Sequence, residues 1–169
     1  YLLESMPVVL ESFPDAKLIF VGRGNDQKKL QEQAKKLGLE KNVVFKGFID
    51  EEELKTAFAS CDLFVLSSLW EVLPIAILEA MSSGKPIVCT DAGGDAELVA
   101  DGVNGFVVPK RKPKIFAKKV VEILSNEKLK KKMGVASRIR AVKEFNWPMV
   151  AKKTIQVYKT LVKNRLSSK

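Results

Sequence analysis

Five short runs rich in apolar and β-branched residues recur along this chain, each separated from the next by a turn or a segment with helical spacing. They are Lys17–Gly22, Asn42–Gly47, Asp62–Ser67, Pro86–Thr90 and Phe106–Val108. Runs of this length and content read as strands buried on both faces. Strands alternating with helices predict an α/β fold: a Rossmann-like open parallel sheet with helices on both faces. The helical segments are punctuated where such a fold needs them to be. Residues 2–13 carry an amphipathic pattern that ends before Pro14. A helix capped by Asn25 or Asp26 stops at Gly38. Asp50 and Glu53 form a capping box for a helix reaching Ser60. Beyond Pro109 the chain is helical over about 113–125, 127–144 and 148–166. There is no repeat or low-complexity tract, and residues 1–169 read as one domain.

The stretch from Ser67 to Pro86 carries most of the chemistry. It runs from a strand through a loop into a short helix and stops at Gly84. Pro74 suits the first helical position, where no amide donor is needed. The amides of Ile75 and Ala76 then point out of the helix N-terminus, which favours a phosphate. Glu71 lies in the loop before that helix and Glu79 inside it. Spacing alone proves nothing, since Glu32 and Glu40 are also eight apart and read as a solvated helix face. The setting differs: Glu71 and Glu79 flank a strand-to-helix turn, where open parallel sheets bind ligands. Two ordinary surface carboxylates would satisfy the same pattern. Gly22-Arg23-Gly24 is only part of a dinucleotide fingerprint, because Gln27 stands where a third glycine belongs. It fits a tight turn as well as a phosphate contact. With Gly93-Gly94, these turns gather at the carboxyl ends of the strands and favour a phosphate-bearing ligand there.

Composition removes several alternatives. The chain has no histidine, hence neither the commonest general base nor the commonest zinc ligand. Ser67 and Ser68 have no evident activating partner, and no carboxylate cluster has metal spacing. Cys61 and Cys89 read as buried free thiols of a cytoplasmic protein. No run approaches the ~18 apolar residues of a membrane span, and the start is no signal peptide. It also lacks an initiator Met and opens in mid-pattern, as a fragment would. Charge is unevenly placed: residues 1–109 carry 10 basic and 17 acidic side chains, residues 110–169 carry 19 and 3. The basic C-terminal part would suit an anionic membrane surface, or be a solvated lysine-rich face. Lys128, Lys130, Lys131 and Lys132 have no aromatic residues between them, which argues against nucleic acid.

Taken in order, Gly22-x-Gly24, Val43-x-Phe45-x-Gly47, Asp62-Leu63-Phe64-Val65-Leu66-Ser67-Ser68, Glu71 with Glu79-Ala80-Met81, Gly84-Lys85-Pro86-Ile87-Val88, Gly93-Gly94-x-x-Glu97 and Gly102-x-x-Gly105-Phe106 form a specific series. It resembles the nucleotide-binding C-terminal domain of retaining glycosyltransferases of the GT-B fold, the large group that includes glycogen and sucrose synthases. The resemblance covers about residues 1–160. It implies a donor domain that binds a nucleotide diphosphate sugar for retaining hexosyl transfer to an acceptor hydroxyl. Glu71 would sit by the donor sugar as the catalytic carboxylate, and Glu79 would hold the ribose hydroxyls. Leu73 and Pro74, in the turn before the helix, would also be substrate-binding, and the amides of Ile75 and Ala76 would hold a donor phosphate. Main chain at Phe48 and Ile49 would contact the base, with Gly22 and Gly24 passing near the diphosphate. No metal or other cofactor is implied, the sugar nucleotide being a substrate.

Two departures matter. Val72 stands where the family usually has glycine. The family's first strand, with the Arg and Lys that neutralise the leaving diphosphate, has no counterpart here. In the order 3-2-1-4-5-6 that strand is central, so the sheet should show a gap beside the Lys17–Val21 strand or need another strand to fill it. The acceptor domain is absent too, and the fragment alone should be inactive. The expected partners are a nucleotide sugar and an acceptor sugar or lipid-linked acceptor, with peripheral contact at the cytoplasmic face of an anionic membrane. Rival readings are a nucleotide-sugar epimerase or phosphorylase on the same fold, or a non-catalytic Rossmann-like module with a basic lipid- or nucleic-acid-binding tail.

Overall fold

The computed structural model describes residues 1–167; the last two positions of the 1–169 span, Ser168 and Lys169, lie outside the described residues. The five expected strands are present: β1 (Leu18–Val21), β2 (Val43–Gly47), β3 (Phe64–Leu66), β4 (Ile87–Thr90) and β5 (Gly105–Val108). Helices α1 (Leu2–Ser12), α2 (Gln27–Lys36), α3 (Glu51–Ser60), α4 (Ile75–Ser82) and the short α5 (Asp95–Leu98) separate or precede them. The chain then continues as α6 (Pro113–Leu124), α7 (Glu127–Glu144) and α8 (Trp147–Ser167). The Asp50 carboxylate accepts a bond from the Glu53 amide at 2.8 Å, so the cap expected there forms. Asp26 occupies the cap of α2 but accepts no such bond.

All strand pairing is parallel, but the sheet is broken in two. β1 pairs only with β2, while β3, β4 and β5 form a separate set in that order. This is the gap the resemblance predicts, dividing the two N-terminal strands from the rest. Among the described residues no backbone bond crosses it; the join is made by side chains. Val65 of β3 packs against both the cluster of Leu18 and Val43 and the cluster around Val88. With one partner strand only, β3 is shorter than the 62–67 run and its residues are half-buried.

Strand β4 shows why helices cover both faces. Its four residues are all buried, and neighbours along a strand point to opposite sides. Ile87 and Cys89 meet Ile77, Ala80 and Met81 of α4 and Ala141 of α7. Val88 meets Val9 of α1 and Phe116, Ala117 and Val120 of α6. Helix α7 closes on α4 at two glycines: a Cβ on Gly134 would lie 2.3 Å from the Gly84 carbonyl oxygen. Cys61 and Cys89 are both free thiols, but only Cys89 is fully buried; Cys61 is half-buried at the C-cap of α3.

Helix α8 stands apart. Ile155, Val157, Tyr158, Leu161 and Val162 are each more than half exposed. At 100° per residue these residues share one broad face, while Lys152, Lys159 and Lys163 lie on the other.

Candidate functional site

The loop from Ser67 to Pro74 is held to the loop after β4 by main-chain bonds. The Glu71 amide donates to the Ala92 carbonyl at 2.7 Å, and the Gly94 amide donates to the Glu71 carbonyl at 3.3 Å. Glu71 and Gly93 form an isolated parallel bridge. The approach is so close that only glycine fits. A Cβ on Gly93 would lie 2.6 Å from the Glu71 carbonyl oxygen, and one on Gly94 only 1.8 Å from that of Val72. The sequence places Gly93 and Gly94 among the turns facing a phosphate; in the structure they are the seat of the Glu71 loop. The Glu71 side chain is fixed as well, since the Ser68 hydroxyl donates to its Oε1 at 2.6 Å. Ser68 is anchored in turn, its carbonyl accepting a bond from the Thr90 hydroxyl.

Helix α4 begins at Ile75. Pro74 is its N-cap, with extended backbone at φ −74° and ψ 104°, and not the first helical residue as expected. The Ile77 amide already bonds the Pro74 carbonyl, so the amides of Ile75 and Ala76 are those without an intrahelical acceptor. No acidic side chain lies in the first turn to neutralise that end. Ile77, Ala80 and Met81 turn into the core, while Ile75 and Glu79 lie outward, four residues apart. The Glu79 carboxylate is exposed and makes no hydrogen bond or ion pair among the described residues. Leu73 is also exposed, and Pro74 is buried.

Across the break, the tips of β1 and β2 form a cleft of about 530 Å³ between the turn after β1 and residues Lys46 to Phe48. Of the expected residues, Gly24 and Phe48 line it. Gly22, at φ +118°, ties the two turns by donating its amide to the Gly47 carbonyl at 2.7 Å. Ile49, half-buried, follows the cleft wall. The other lining residues, Arg23, Asn25, Gln27, Lys46 and Gly47, are not among the expected site residues, and two of them, Arg23 and Lys46, are cations. The Arg23 guanidinium lies 5.7 Å from the centre of the Phe48 ring, and that ring is 71% exposed.

Asp95 was not marked either. It is fully buried, and neither of its carboxylate oxygens has a hydrogen-bond partner among the described residues. Burial first, and then the charges of Glu71 and Asp91, push its carboxyl up to about 6. A buried acid therefore stands behind the loop of the half-buried Glu71. Among the described residues no group of acidic or thiol side chains could hold a metal ion, and no helix is long and apolar enough to cross a membrane.

A parallel sheet with helices on both faces, glycine turns at the strand tips and an open helix N-terminus after β3 is the C-terminal-domain architecture of GT-B glycosyltransferases. Residues 1–140 match the sequence profile of the glycosyl transferases group 1, and the chain belongs to that family. It is 33% identical over 159 residues to an uncharacterized glycosyltransferase of Methanocaldococcus jannaschii, covering 94% of this chain and 40% of that protein. It is also 33% identical over 161 residues to the phosphatidyl-myo-inositol mannosyltransferase of Mycobacterium leprae, covering 95% and 42%. Among solved structures, HepE of Anabaena in complex with UDP superposes with a TM-score of 0.80 at 29% identity, covering 95% of this chain and 44% of that one. The chain thus spans less than half the length of these relatives.

Proposed function

We propose that this chain is the donor-binding half of a retaining hexosyltransferase that moves a sugar from a nucleotide diphosphate to an acceptor hydroxyl. The observation that carries the reading is the Glu71 loop, seated on Gly93 and Gly94 beside the open N-terminus of α4. In this reading the amides of Ile75 and Ala76 bind a donor phosphate. Glu79 accepts bonds from the ribose hydroxyls, which are donors a carboxylate suits. Glu71, oriented by Ser68, lies at the sugar near the reacting carbon. Gly22 and Gly24 pass by the diphosphate, and main chain at Phe48 and Ile49 meets the base. The UDP complex of the Anabaena relative supports a nucleotide sugar as substrate.

The chain spans less than half the length of its relatives, and without an acceptor half it should bind donor weakly and turn over nothing. The name of the mycobacterial relative supports a lipid-linked acceptor. The apolar face of α8, backed by lysines, supports peripheral contact with an anionic membrane at its cytoplasmic side.

Calorimetric titration with UDP, GDP and ADP sugars tests the reading, on this chain and on the same chain joined to an acceptor half. We expect one donor class to bind, and Glu79→Ala to weaken it about tenfold or more through the lost charge-assisted bonds. Absence of binding by every donor in the joined protein, or an unaltered affinity in Glu79→Ala, would refute it.

A further inference from the structure

The cleft between β1 and β2 has a chemistry of its own. Both charged groups that line it, Arg23 and Lys46, are cations; no carboxylate does. Apart from the contact of Arg23 with the Phe48 ring, neither cation makes a hydrogen bond or ion pair among the described residues. The other polar side chains at the cleft, Asn25 and Gln27, are neutral amides. The Phe48 ring stands exposed beside them, a flat apolar surface with a guanidinium at its face. An aromatic platform next to unpaired donors is the equipment for holding a planar, acceptor-rich ring. The volume of about 530 Å³ admits one.

We infer that this cleft selects the donor base, taking an oxo base such as uracil or guanine in preference to an amino base such as adenine or cytosine, with Arg23 and Lys46 as the selecting residues. Guanidinium and ammonium groups donate hydrogen bonds and accept none. The oxo edge of guanine offers two adjacent acceptors, and that of uracil a carbonyl oxygen. Adenine and cytosine present an exocyclic amino donor on the same edge. Set against Arg23 or Lys46 that donor meets another donor and has only the neutral amide oxygens of Asn25 and Gln27 to accept it, whereas an oxo group meets a full positive charge, the stronger kind of hydrogen bond. The inference rests on the donor-site reading and adds to it which bases the site accepts.

Titration of this chain with UDP, GDP, ADP and CDP isolates the base, because all four carry the same diphosphate. We expect UDP or GDP to bind at least about tenfold more tightly than ADP and CDP. Arg23→Ala and Lys46→Ala should each weaken the favoured nucleotide about five- to twentyfold and leave ADP and CDP within about twofold. Both side chains are exposed, so neither change threatens the fold, and circular dichroism of the variants verifies this. Equal affinity for all four nucleotides overturns the inference. So does an equal loss for all four in the variants, which would assign the cations to the phosphates. Either result leaves the donor reading intact, whereas no binding by any nucleotide, here and in the joined protein, removes both.

Discussion

At the residue scale the decisive positions are those whose size or charge is fixed by a neighbour distant in sequence. Gly94 has ordinary helical backbone, with φ −62° and ψ −12°, so its own conformation does not demand glycine. What demands it is the Val72 carbonyl, 1.8 Å from where a Cβ would stand. Gly94→Ala must push the Glu71 loop aside. We expect a loss of about 2–3 kcal/mol, seen as a fall of roughly 5–10 °C in the thermal midpoint, together with weaker donor binding. Asp95 carries the opposite kind of signal. Its carboxyl titrates near 6 in the fold against 3.8 ordinarily, so the native state holds a proton the unfolded chain has released. The stability from that proton is full below about pH 4 and is lost as the pH rises through 6. Asp95→Asn removes the cost of the buried charge and should stabilise the protein at pH 7 by about 2 kcal/mol. Urea unfolding should show that gain shrinking to nothing near pH 4. Neither role was legible beforehand. A glycine pair in a turn and an acid at the start of a helix have common local explanations, and what sets them apart is a second loop reached only after folding.

At the element scale the sequence was far more readable, because the signals are local. Asp50 with Glu53, Gly38 after α2 and Gly84 after α4 lie where capping chemistry puts them. The one-residue displacement at Pro74 reflects its extended ψ, which a fixed φ does not determine. The seam between α4 and α7 was not readable, since it depends on two glycines fifty residues apart in the chain. Gly134 sits within a helix, where alanine is ordinarily the better former by about 1 kcal/mol. Here the Gly84 carbonyl, 2.3 Å from the would-be Cβ, reverses that preference. Gly134→Ala should therefore lower stability by about 2 kcal/mol, measured by urea unfolding, while an alanine at an exposed helical site would not.

For the molecule as a whole, the gap in the sheet was one of two outcomes implied by the family resemblance, whereas Arg23 and Lys46 emerged only once β1 and β2 lay side by side. The break divides the protein into a two-strand plate and a three-strand plate with no stitch of backbone between them. Amides of β4, fully buried and bonded on both edges, should exchange with solvent most slowly. Those of β1 and β2 should open sooner, and native-state hydrogen exchange would distinguish the two sets. A nucleotide lying with its base against Phe48 and its phosphates at Ile75 would straddle that seam. It would then act as a tie rod, and slower exchange in β1 and β2 would report its arrival as plainly as the heat of binding.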